Sequence, residues 1–218
     1  MTGVQTCALP IWFTGCSRFV LFESDRSGTN ELLRVDEEGA NAKLLATGTM
    51  WGQTCSPDGR FVYYAEALKP RWKIRRVPID GGTPVDIVEN PGESIPGRVT
   101  ISPDGELLAF PFDVASSEPA LKIGVIPIAG GPMVKVFDVA GDINGPRWSP
   151  GGRGLQYLLD KNGATNLWEQ PLSGGPPHQV TKFTAGRIFD FNWTADGKQL
   201  LLSRGGVTSD VVLLSNLR

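Results

Sequence analysis

Few residues in this chain are able to do chemistry. The single histidine, His178, follows Gly175-Pro176-Pro177, and no nucleophile stands at a recognisable spacing from it. It reads as a solvated hairpin residue at the start of an outer strand. Asp58, Asp104 and Asp196 each precede a glycine and follow a Ser-x or Thr-x pair, a setting that favours turn formation over general-acid or metal-binding work. Asp196-Gly197-Lys198 resembles the end of a phosphate loop, but the earlier glycine of that motif is missing. Cys7, Cys16 and Cys55 have no metal-ligand spacing. A Gly-x-Ser-x-Gly elbow, a Walker loop and a kinase signature are all missing. The sequence therefore nominates no catalytic residue, no metal ligand and no cofactor site.

The elements carrying these residues are set by a repeat. Ser56-Pro57-Asp58-Gly59 recurs as Ser102-Pro103-Asp104-Gly105, as Ser149-Pro150-Gly151-Gly152 and as Thr194-Ala195-Asp196-Gly197, at steps of 46, 47 and 45 residues. A worn fifth copy lies at Thr14 to Arg18, where Arg18-Phe19-Val20 matches Arg60-Phe61-Val62. The tetrapeptide has turn chemistry: Ser bonds back to the turn backbone, Pro presets φ, Asp tolerates the bridge region and Gly supplies the final conformation. Apolar strands flank each turn, Val99-Thr100-Ile101 before and Leu107-Leu108-Ala109-Phe110 after, for example. Their continuous apolar character predicts burial on both faces. A third, alternating strand follows, as in Trp72 to Ile79, Leu121 to Ile128 and Asn166 to Leu172. It ends at Asp80-Gly81-Gly82, Ala129-Gly130-Gly131 or Ser173-Gly174-Gly175, which opens a hairpin into a short outer strand. Pro78, Pro127 and Pro171 lack a ladder donor and belong where that donor would face away from a partner, or at a bulge.

Four-stranded units at a period near the roughly 40–45 residues of a propeller blade give an all-β chain of stacked antiparallel blades. With its Ser-Pro-Asp-Gly turns, the Pro146-Arg147-Trp148-Ser149 strand and the Gly-Gly hairpins, the sequence resembles the TolB-like, WD40-like β-propeller family over residues 12–218. Gly151 in place of Asp, Thr194-Ala195 in place of Ser-Pro, and the degraded first copy are its departures. The resemblance implies a non-catalytic scaffold for protein interaction or ligand sensing. It further implies the C-terminal domain of a larger bacterial regulatory protein, linked to a kinase or a winged-helix domain. Two alternatives stay open: a periplasmic TolB-like envelope protein, and the propeller of a prolyl-oligopeptidase-type peptidase. Cytoplasm and periplasm are both compatible with the residues.

In a propeller the loops that return from an outer strand to the next innermost strand are the variable ones. Here they cover 89–97, 138–145 and 184–190. Arg98, Asp142, Arg147, Arg187 and Asp190 would present charge at the channel mouth, against the plainer reading of solvated loop charges. Trp148 and Trp193, just before their turns, read as blade-packing residues that are also able to stack on a ligand. The expected partner is a protein or peptide.

Composition agrees. In 218 residues with a net charge of −2 there is no basic footprint for nucleic acid, and no run of apolar residues is long enough to span a membrane as a helix. Gly 27 and Pro 17 against Cys 3 point to a turn-rich protein that is not stapled by disulfides. Residues 1–11 read as a translated sequencing adapter, since an oligonucleotide ending GCTCTTCCGATC encodes Ala8-Leu9-Pro10-Ile11. A lipoprotein signal ending at Cys16 is the competing reading, weakened by the lack of Lys or Arg before the apolar part. The strand pattern yields about four and a half blades, an incomplete ring that upstream blades are expected to complete.

Overall fold

The computed structural model describes residues 18–68, 71–89, 97–114, 121–139, 145–194 and 196–206. Residues 1–11, read above as an adapter, and all but the last residue of the worn turn copy lie outside these residues. The described residues form seventeen strands and no helix.

They fall into five antiparallel sheets in chain order. The first holds β1 (Phe19–Ser24), β2 (Glu31–Asp36) and β3 (Lys43–Thr47). The second runs β4 (Met50–Cys55), β5 (Phe61–Leu68), β6 (Arg71–Pro78), β7 (Val85–Glu89), and the third β8 (Thr100–Ile101), β9 (Leu107–Asp113), β10 (Leu121–Pro127), β11 (Lys135–Asp138). The fourth is β12 (Arg147–Trp148), β13 (Gly154–Lys161), β14 (Ala164–Pro171), β15 (His178–Gln179), and the fifth pairs β16 (Arg187–Trp193) with β17 (Leu200–Gly205). Every neighbour in a sheet is a neighbour in sequence, as a blade meander requires.

Each predicted turn joins the first two strands of its blade. Ser56 N–H donates to Phe61 O, Gly59 N–H to Ser56 O, and Phe61 N–H to Ser56 Oγ, while Asp58 Oδ1 accepts from Ser56 Oγ and Arg60 N–H. Ser102 and Asp104 reproduce the pattern, and so do Thr194 and Asp196. Gly59, Gly105, Gly152 and Gly197 take φ of 69°, 77°, 67° and 67°, a left-handed conformation that glycine alone adopts without strain. Pro78, Pro127 and Pro171 close their strands, and their carbonyls accept from Gly81, Gly130 and Gly174 N–H in the hairpins. A proline there leaves no ladder donor unpaired.

Three apolar clusters join blade to blade. Leu21 of the first packs with Val62 and Tyr64 of the second. Tyr63 and Ala65 of the second pack with Leu108 and Phe110 of the third. Ala109 of the third packs with Leu155 and Tyr157 of the fourth. Along the second strand of a blade, alternate residues thus face opposite neighbours, which explains the unbroken apolar runs.

One expectation is corrected. Cys55, at the end of β4, is disulfide-bonded, although the low cysteine count argued against any disulfide. Composition limits how many bridges a chain can make and says nothing of whether a given pair is brought together.

Candidate functional site

The innermost strands β4, β8, β12 and β16 lead into the turns, and their side chains are placed by counting back from them. Two positions before the turn Ser or Thr stand Thr54, Thr100, Arg147 and Asn192; four before stand Gly52, Arg98, Gly145 and Asp190. Gly52 and Gly145 leave the backbone bare on either side of Arg98. A Cβ on Gly52 would lie 2.9 Å from Arg98 Cα, and one on Gly145 would lie 2.8 Å from Arg98 Cβ. Arg98 therefore occupies room that a side chain at Gly145 would take.

Across that gap the charges converge. Arg147 Nη2 donates to Asp190 Oδ1 at 2.7 Å, and its guanidinium sits 4.8 Å from the centre of the Phe191 ring. The β16 bulge between Ile188 and Asp190 sets the carboxylate in place, and Asp190 Oδ1 also accepts from Phe191 N–H. Burial pushes the Arg147 pKa down while Asp190 opposes it. Burial also lowers Arg98, with the Arg147 charge adding to the effect and Asp190 working against it. Both remain cations, since guanidinium does not deprotonate in proteins, so the consequence is a locally positive, part-desolvated wall.

The same joint carries a second polar chain. Trp193 Nε1 donates to Gln156 Oε1 at 2.7 Å, and Gln156 Nε2 to Glu169 Oε2 at 2.7 Å. Trp148 Nε1 points back a blade, to Thr100 O at 3.4 Å. With both indole N–H groups engaged inside the protein, the rings offer outward only apolar surface. Between them lies a cleft of about 300 Å³, walled by Pro103, Pro150, Trp148 and Trp193 and edged by Arg147 and Asn192.

Of the residues nominated from sequence, Arg98, Arg147 and Asp190 come together. Arg187 stands exposed at the start of β16 and makes no hydrogen bond or ion pair with them. Asp142 lies outside the described residues, as does most of 89–97 and 138–145. His178 is exposed on β15 opposite Glu169, as the hairpin reading expects. Gly145, Gln156 and Asn192 were not nominated. Aligning the repeat backwards from each turn was the signal that places Gly145 and Asn192.

The arc has counterparts among solved structures. TolB from Acinetobacter baumannii superposes with a TM-score of 0.68 at 18% identity, over 88% of this chain and 48% of that one. The fold is a TolB-like β-propeller. Oligogalacturonate lyase from Vibrio parahaemolyticus matches the propeller with a TM-score of 0.67 at 15% identity, over 89% of this chain and 57% of that one. By sequence, the propeller is 33% identical over 107 residues to Tricorn protease homolog 1 of Streptomyces coelicolor, covering 49% of this chain and 9% of that protein. It is 27% identical over 134 residues to an uncharacterized protein of Agrobacterium fabrum, covering 56% and 44%. The chain thus spans less than half the length of either curated relative. No family model matches it. Among the described residues no helix is long and apolar enough to cross a membrane.

Proposed function

We propose that this propeller is a binding scaffold without catalytic chemistry of its own, and that it holds an extended protein or peptide segment in the cleft of the fourth and fifth blades. The observation that carries this reading is the cleft itself. Two prolines and two tryptophans give it rigid apolar surface, and Ser149, Thr194 and Asp196 share its lining with the Arg147 guanidinium and the exposed Asn192 amide. Such a surface suits a chain that presents a ring or an alkyl group to the walls and a carbonyl or carboxylate to Arg147. A place in a larger bacterial regulatory protein, as the sequence resemblance implies, is part of the same proposal.

The test is selection of peptides from a random displayed library on the purified chain, followed by titration of the enriched peptides against Asn192→Trp. Asn192 is exposed, so the substitution fills the cleft while leaving the blade core alone. Loss of binding with an unchanged unfolding midpoint supports the reading; equal binding by the variant, or no enrichment at all, rejects it.

A second reading is favoured by the Tricorn protease homolog and by an acylaminoacyl peptidase that superposes with a TM-score of 0.58. On that reading the propeller accompanies a peptidase domain elsewhere in a longer polypeptide. Sequencing the gene beyond both ends of these 218 residues decides it by the presence or absence of a hydrolase domain.

A further inference from the structure

Three residues of the fourth blade depart from the repeat, and all three belong to one local arrangement. Five positions after the turn Ser stand Phe61 and Leu107 in the second and third blades, but Gly154 in the fourth. Seven positions after it stand Tyr63 and Ala109, but Gln156 in the fourth. Opposite these on the third strand stand Arg76 and Val125, but Glu169 in the fourth, in the same register each time.

The departures fit one another. In the second blade the Arg76 guanidinium lies 4.9 Å from the centre of the Phe61 ring. In the fourth, a Cβ on Gly154 would stand 2.7 Å from Glu169 Cγ and Oε1, so the Glu169 arm takes the room that the other blades give to a side chain. Lying there, Glu169 Oε2 accepts from Gln156 Nε2, and Gln156 Oε1 accepts from Trp193 Nε1, each at 2.7 Å. Gln156 is 2% exposed, so water does not replace either partner. At the preceding joint the corresponding residues are Ala109 and Trp148, packed in one apolar cluster. The joint of the fourth and fifth blades replaces that apolar contact with a directed bond to the ring nitrogen.

We infer that Gly154, Gln156 and Glu169 set the specificity of the cleft through Trp193. They hold the indole N–H inside the joint, so an occupant meets a ring face there and must bring an apolar group to it. A hydrogen-bond acceptor placed against that wall loses its water and gains no donor. None of the three lines the cleft, so they are positioning residues. The inference rests on the cleft being the peptide site, and it adds which ligand chemistry the Trp193 wall selects.

The first test is proton–nitrogen NMR of the whole chain labelled at its indole nitrogens, with the Trp193 signal assigned by Trp193→Phe. Without any peptide, Gln156→Met and Gly154→Ala should shift that signal and speed its exchange with solvent by about tenfold. Glu169→Gln keeps an acceptor oxygen for Gln156 and should do neither. Should Gln156→Met not fold, Gly154→Ala decides alone, since the atoms nearest its added Cβ all belong to the Glu169 side chain. An unmoved Trp193 signal in Gly154→Ala overturns the inference. The second test takes a peptide enriched on the wild type by display, and analogues in which each apolar residue in turn is exchanged for asparagine. The wild type should reject at least one analogue, and Gln156→Met, or Gly154→Ala in its place, should reject that analogue about tenfold less. Equal discrimination by wild type and variant overturns the inference. If no peptide is enriched, the binding reading falls and takes the selectivity with it, while the Trp193 signal still reports whether the three residues fix the ring; the two failures are thereby told apart.

Discussion

Gly152 rests on Pro103. A Cβ added to this glycine would stand 3.4 Å from the Pro103 Cδ, in the turn of the preceding blade. Gly105 bears the same relation to Pro57, at 3.6 Å, and Gly197 to Pro150, at 2.7 Å from Cβ. The Ser-Pro-Asp-Gly signature is therefore a blade-to-blade contact as well as a turn: the proline of one blade is the seat for the glycine of the next. This gives a physical reason for the motif to repeat as a unit.

The two demands on glycine separate in a pair of variants. At Gly105 a side chain meets ordinary contact distances, so Gly105→Ala suffers only the positive-φ strain, about 1 kcal/mol. At Gly197 the same strain is joined by a clash with Pro150, which adds about 1 kcal/mol or more. Urea midpoints should fall in both variants and further in Gly197→Ala. Equal midpoints would show that the turns do not bear on one another.

The turn carboxylates predict the acid limb of stability. Asp58, Asp104 and Asp196 have pKa values held below the usual carboxylate range, first by the Ser or Thr hydroxyl and then by backbone N–H donors. A depressed folded pKa contributes stability that is present above the unfolded value, about 3.9, and lost as pH falls through the folded one. The chain should therefore weaken below about pH 4, and Asp104→Asn should flatten that decline. The fourth turn is the natural control, since Gly151 stands where the others have Asp. Its φ is not left-handed, and an added Cβ meets only Arg153 Nε at 3.6 Å. Gly151→Asp should raise the neutral-pH melting temperature, with about 0.4–1 kcal/mol from backbone entropy alone, and should make the acid decline steeper. A lower melting temperature would refute the turn geometry.

Tyr64 carries a hydroxyl the fold does not use. The side chain is fully buried and its Oη has no hydrogen-bond partner among the described residues. Burial pushes the phenol up to about 12, with the Arg75 charge partly offsetting this. Equivalent positions in the first and third blades are Phe22 and Phe110, so the repeat already accepts the ring without the oxygen. Tyr64→Phe should leave stability unchanged or raise it by up to about 1 kcal/mol. A fall of that size in chemical denaturation would reveal an unseen partner for the hydroxyl.

The legible part of this protein was what recurs. Turn, strand order and hairpin glycines repeat with a fixed period, so each copy corroborates the others, and the architecture followed from Ser56, Ser102, Ser149 and Thr194. The site was half legible, because it is made of what does not recur. Arg98, Arg147 and Asp190 were conspicuous as charges near innermost strands, yet their meeting depends on Gly145 being bare and on the bulge before Asp190. A bulge moves one residue across the sheet without leaving a mark in composition. Gln156 was invisible for the opposite reason: a polar residue inside an apolar run reads as an interruption until Trp193 is seen to bond it. Cys55 shows a further limit, since spacing along the chain does not report distance in space.

Arg147 and Asp190 make the last and sharpest test. The arginine is mostly covered and the carboxylate mostly exposed, 18% against 56% of the side chain, so the attraction is partly screened and the pair should couple by about 0.5–1 kcal/mol. Removing only Asp190 leaves a part-desolvated guanidinium beside Arg98, whereas Arg147→Met keeps the apolar contact with Phe191 and removes the repulsion. Asp190→Ala should therefore destabilise more than Arg147→Met, and the double variant should be no worse than Asp190→Ala alone. Added salt should narrow the gap between wild type and Asp190→Ala. If the two substitutions are strictly additive in a denaturation cycle, the ion pair bears no energy and the positive wall it borders is two separate surface charges.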